Sequence, residues 1–171
     1  IILVSTFLLT IIFDLVVAIE FGMLAAGVLI MKRMSEESEV RGWQYFDEKS
    51  DDPDKIELRN VPKNVRVYEI SGPMFFYVAD RIAEITLKDF TKALIIRMRG
   101  VPAVDITAMN AMENLLKKCE KNGVTLILSH VNDQPMRTME KSGFADRVGR
   151  ENFCAHIDDA LERANQIVLE K

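Results

Sequence analysis

The chain has 171 residues, 49 % of them hydrophobic, with 22 basic and 26 acidic side chains and a formal charge of -4, enough for one ordinary domain plus an appendage. A balance this close to neutral, with no concentrated basic face, excludes a nucleic-acid footprint. Two cysteines, Cys119 and Cys154, and two histidines, His130 and His156, stand at no metal-ligand or disulfide spacing, so no metal, disulfide framework or other cofactor is implied.

The charge is unevenly spread. Residues 1 to 31 carry only Asp14 and Glu20, residues 32 to 59 sum to -3, and residues 60 to 171 to +1. The opening IILVSTFLLTIIF lacks an initiator methionine and has neither the basic start nor the small-residue cleavage site of a secretory signal. A fragment or a processed product is expected. Residues 1 to 13 and 21 to 31 are apolar blocks, each shorter than the ~20 residues of a bilayer span. Together, residues 1–33 are expected to begin within one membrane segment, turn near Asp14 to Glu20, and cross again from about Leu15 to Met31. A buried helical hairpin is the plainer alternative. Lys32 and Arg33 follow directly and mark a cytoplasmic side. Asp14 and Glu20, as membrane-embedded polar groups, belong either to a bundle interior or to the interface. Gly22, Ala25, Ala26 and Gly27 permit close helix contact, as in a multi-helix bundle.

Residues 34–60 read as a helix extension ending near Gly42 and then a charged linker. Trp43, Tyr45 and Phe46 are its aromatic exception. The cluster Asp51-Asp52-Pro53-Asp54 lacks the spaced acids of a calcium loop and reads as a solvated turn.

Residues 61–171 alternate strand and helix. Val65 to Ile70 has strand periodicity, and Met74 to Leu87 places Phe75, Val78, Ile82 and Ile85 on one helix face. Ala93 to Met98 is a strand, followed by a helix from Ala108 to Lys121 with a Met109, Met112, Leu116, Cys119 stripe and a left-handed stop at Gly123. Val124 to Leu128 reads as a central strand. Asp133 is the expected cap of a helix that Gly143 ends, Phe153 to Ile157 a short strand, and Asp158 the cap of a last helix over Asp159 to Val168. The expected class is α/β, with a mostly parallel sheet flanked by helices.

In such a sheet, function gathers at the carboxyl ends of strands. Asp105-Ile106-Thr107-Ala108 stands there, at a helix start. Asp105 or Thr107 can serve as a plain N-cap, or the loop can contact phosphate or accept it at Thr107. Glycine-rich phosphate loops are absent from the sequence, as is a nucleophile with a base at recognisable spacing. An enzyme, receiver-like or nucleotide-processing, is therefore not expected.

The order of hydrophobic segment, Lys-Arg, linker, then VRVYEISGPMFFYVADRI, KALIIRMRGVPAVDITAMNAMENLLKKCEKNGVTLILSHV and SGF resembles the end of a sulfate permease family (SulP, or solute carrier 26) anion transporter. Gly72-Pro73 with Phe75-Phe76, and Val104 to Ala108, are the telling matches, and the front segment with Asp14 and Glu20 resembles that family's final membrane region. The resemblance implies the last membrane helices of a secondary-active, sulfate-type transporter of the inner (cytoplasmic) membrane, multi-pass in full. A cytoplasmic STAS domain follows, the module shared with anti-sigma-factor antagonists. It implies an anion substrate held by upstream helices, a regulatory, partner-docking or nucleotide-contact role for the loop Asp105, Ile106, Thr107, Ala108, a cytosolic protein partner, and a homodimer as one arrangement. In antagonists that loop reads Asp-Ser-Ser-Gly, so Asp105 and the phosphoacceptor position Thr107 match while Ile106 and Ala108 depart. The alternative is a membrane-tethered antagonist-like signalling module switched at Thr107.

Overall fold

A computed structural model of the chain describes residues 15–37, 39–42 and 61–170, together with Leu3, Val4 and Phe7. It divides into two units, Ile1–Glu37 and Ser38–Lys171.

The first unit is built on helix α1, Leu15–Glu37. Its exposed side chains include Val16, Ile19, Phe21, Met23, Leu24, Val28, Leu29, Ile30 and Met31, so apolar groups face outward on more than one side. Among the described residues, no helix is long and apolar enough to cross a membrane. The apolar stretch of α1 ends at Met31, where Lys32 and Arg33 begin, and Glu20 interrupts it. From Leu15 that stretch spans about 25 Å at the helical rise, against ~30 Å of hydrocarbon. Glu20 is exposed on α1, and Asp14 lies outside the described residues.

The second unit is a five-stranded sheet in the order β1-β2-β3-β4-β5. Its strands are β1 (Glu39–Gly42), β2 (Val65–Ser71), β3 (Ala93–Gly100), β4 (Thr125–Ser129) and β5 (Phe153–Cys154). β1 runs antiparallel to β2, and β2 to β5 are mutually parallel. The connector thus differs from the expected helix and linker. The helix stops at Glu37, and Glu39–Gly42 pairs with Tyr68 to Ser71, covering an edge of β2 that would otherwise present an open ladder. Trp43, Tyr45, Phe46 and Asp51 to Asp54 lie outside the described residues.

Alternation along the parallel strands sends side chains to two cores. One face, with Ile70, Leu94, Ile96, Met98, Leu126 and Leu128, packs under α2 (Phe76–Ala83), α3 (Ile106–Lys121), α4 (Asp133–Lys141) and α5 (Phe144–Val148). The other, with Val65, Val67, Ala93, Ile95 and Ile127, packs under α6 (Ile157–Glu170). Arg97 continues that second face. It is 2 % exposed, and its guanidinium sits 3.5 Å from the Glu69 carboxylate, its register partner on β2. The ion pair offsets part of the cost of burying the cation.

Several boundaries moved for identifiable reasons. The helix expected from Met74 to Leu87 is only Phe76–Ala83. Met74 instead forms a parallel bridge with Val104, and Lys118 Nζ donates to Ile85 O at 2.7 Å, holding the segment beyond the helix. Gly143, at φ +73, ends the α4 region as expected, and the unforeseen α5 drives Phe144 fully into the core. Asn132, rather than Asp133, is the N-cap of α4. The last helix starts at Ile157, whose side chain is wholly buried. His156 precedes it and donates its backbone N–H to Asp159 Oδ2 at 3.2 Å, half of a capping box, so Asp158 is not the cap. β4 lies one place off the centre, which β3 occupies.

Candidate functional site

The loop singled out by sequence is the tip between β3 and α3, at the carboxyl end of the sheet. Gly100 begins it at very close range to β2. A side-chain carbon there would stand 3.1 Å from Ser71 atoms, and without one Gly72 N–H donates to Gly100 O at 2.8 Å. Residues 72 to 74 and 100 to 105 then run side by side. Met74 N–H donates to Ala103 O at 2.9 Å and Asp105 N–H to Met74 O at 3.0 Å. The Gly72-Pro73 turn is fastened by Tyr77, whose hydroxyl donates to Pro73 O at 3.1 Å and whose ring meets Phe76 edge-on at 5.4 Å.

That bridge uses the groups of Ala103 and Asp105 that face Met74. The N–H and C=O of Val104 between them point the opposite way, toward α4. There Gln134 takes both: Oε1 accepts from Val104 N–H at 2.9 Å, and Nε2 donates to Val104 O at 3.3 Å. A side-chain amide thus stands in for one residue of a neighbouring strand. Asn132 adds a second hold, its Nδ2 donating to Val101 O at 2.7 Å and Arg99 O at 3.1 Å. By local pattern, Asp133 reads as the cap of a helix and nothing more. Two amide side chains flanking Asp133 were the available signal, but their targets lie about thirty residues upstream and local pattern does not reveal them.

Among the four predicted loop residues, Asp105 is the N-cap of α3, and its Oδ1 accepts from Ala108 N–H at 2.7 Å. Of the two cap candidates, geometry selects Asp105. Ala108 is fully buried beneath the tip, whereas Thr107 is exposed and Ile106 is 73 % exposed. Phe76, next to the partner segment, is 62 % exposed. The tip therefore presents a hydroxyl at the positive end of a sixteen-residue helix, flanked by apolar side chains on a backbone held from three directions. Such a surface suits recognition of a partner or an anionic group. Among the described residues, no group of three or more His, Cys, Asp or Glu side chains is arranged for a metal.

This architecture recurs in known proteins. The STAS domain family model matches residues 56–160. YvdB of Bacillus subtilis, provisionally named a sulfate transporter, is 28 % identical over 92 % of this chain and 29 % of its own length. The bicarbonate transporter BicA of Picosynechococcus is 29 % identical over 95 % of this chain and 30 % of its own. The chain thus spans less than a third of the length of these curated relatives. A crystal structure of a sulfate transporter family protein from Wolinella succinogenes superposes with a TM-score of 0.66 at 40 % identity, covering 70 % of this chain and 99 % of that one. With well over half of its residues in the match, the chain belongs to the STAS-domain family, and its homologues, at modest identity over most of its length, are proteins named as sulfate and bicarbonate transporters.

Proposed function

We propose that the chain is the C-terminal part of a secondary-active anion transporter of the sulfate or bicarbonate type. In this reading residues 1–33 belong to its membrane region, with Asp14 and Glu20 as polar groups at membrane depth. The STAS domain stands on the cytoplasmic side, where it regulates transport or docks a cytosolic partner through Asp105, Ile106, Thr107 and Ala108. The observation that supports it best is similarity to transporters over nearly the whole chain, from α1, whose apolar stretch gives way to Lys32 and Arg33, through the α/β domain. The anion site itself falls to helices upstream.

The test is uptake of radiolabelled sulfate and bicarbonate into cells or proteoliposomes carrying the full-length protein, beside a version with Ile106→Asp. Saturable uptake of one anion, changed in maximal rate but not in half-saturation by Ile106→Asp, is expected. No uptake of either anion overturns the transporter reading, and an unaltered rate in the variant overturns the regulatory role of the tip.

The exposure of Thr107 at the start of α3 favours a second reading, in which the domain is a tethered antagonist-like module switched by phosphorylation there. It predicts that Thr107→Ala abolishes release or capture of a partner while leaving uptake untouched.

A further inference from the structure

His130 and His156, without metal-ligand spacing in the sequence, meet in space. His130 follows β4 directly and His156 precedes α6. His130 Nε2 and His156 Nδ1 are 3.4 Å apart, with ring centroids 5.2 Å apart and planes at 72°. His130 is also the non-glycine residue with positive φ among the described residues, at +54. Its N–H donates to Cys154 O at 3.1 Å, which fixes this conformation at the end of β4. A left-handed backbone costs energy for a side chain with a Cβ, and such outliers collect where a side chain must be aimed.

We propose that this pair is a binding site for a borderline divalent cation of the zinc class, held by His130 Nε2 and His156 Nδ1 and completed by water. Two imidazole nitrogens about 2.05 Å from a tetrahedral ion are separated by about 3.3 Å. The observed 3.4 Å spacing is close to that bite, so a modest rotation of the rings would aim both nitrogens at one ion. Asp158 and Asp159 in the first turn of α6 offset the positive helix end that would oppose a cation. With two protein ligands, coordination positions remain open, which sets the site apart from closed structural zinc sites. Its occupation would tie the end of β4 to the start of α6, on the face of the sheet opposite α3.

The test uses the whole chain in detergent micelles, titrated with Zn²⁺ by calorimetry and with Co²⁺ by visible absorption. The paired control is His130→Asn with His156→Asn. Asparagine tolerates positive φ and is a good N-cap, so both backbone positions are preserved. One saturable site per chain, tetrahedral cobalt bands, and at least about tenfold weaker binding in the variant are expected. Absent cobalt bands in the unsubstituted chain, or equal affinity in a variant whose circular dichroism is unchanged, would show a simple N–H···N contact between the rings and overturn the site.

Discussion

Replacing Gln134 by alanine isolates what holds the tip in place. The substitution deprives the Val104 N–H of its 2.9 Å partner and Val104 O of a 3.3 Å donor, beside a side chain that is 4 % exposed. Leaving a buried N–H unsatisfied costs about 1–3 kcal/mol, and the longer bond contributes about 0.5 kcal/mol. Alanine returns roughly 0.4 kcal/mol in helix propensity at the start of α4. The net is a loss of about 2 kcal/mol, or a melting midpoint lower by roughly 8 °C for a domain of this size. Gln134→Met, which keeps most of the volume, should lose a similar amount if hydrogen bonding rather than packing is responsible. Urea unfolding followed by far-ultraviolet circular dichroism measures the loss, and amide hydrogen exchange at Val104 and Asp105 locates it. A change below about 0.5 kcal/mol, with Val104 as protected as before, would refute the strand-surrogate role.

Asp105→Ala should destabilise the domain by about 1 kcal/mol through loss of the cap on Ala108 N–H, read by the same urea titration, with Asp105→Asn nearly neutral. Thr107→Glu, placing a negative charge in the first turn of α3, should stabilise by about 0.5 kcal/mol at low ionic strength and lose that gain in 1 M salt, where the Debye length is about 3 Å. Burial pushes the Cys119 thiol up from 9.0 to about 12. Native Cys119 should therefore resist alkylation at pH 8 until urea is added, while the half-buried Cys154, raised less far by its own burial and by Asp159, reacts first. Because the folded state holds the Cys119 proton more tightly than the unfolded one, its contribution is fully present below about pH 9. It is lost as pH rises toward 12, which stability measured across that window would show.

Much of the α/β unit was legible from local pattern because each strand and helix carries its own periodicity. β2, β3 and α3 appear where period-two and helical stripes place them, and Gly123 takes the left-handed conformation that ends α3. The tip was legible as a position, since a strand followed by Asp105 and an apolar helical stripe announces a strand end and a helix start. The boundaries that failed did so where a distant contact outbid a local preference: Met74 left its helix for Val104, and Glu39–Gly42 became an edge strand because β2 offered an open ladder.

The sequence by itself determined the two-part character of the chain, its class and the place of Asp105 to Ala108, because composition and periodicity are properties of neighbouring residues. Tertiary structure alone decided that Gln134 and Asn132 fasten that tip, that Arg97 is buried against Glu69, and that His130 and His156 meet. Each joins residues 26 to 31 positions apart, and only the side-by-side packing of parallel strands and their crossover helices brings such groups within hydrogen-bond reach.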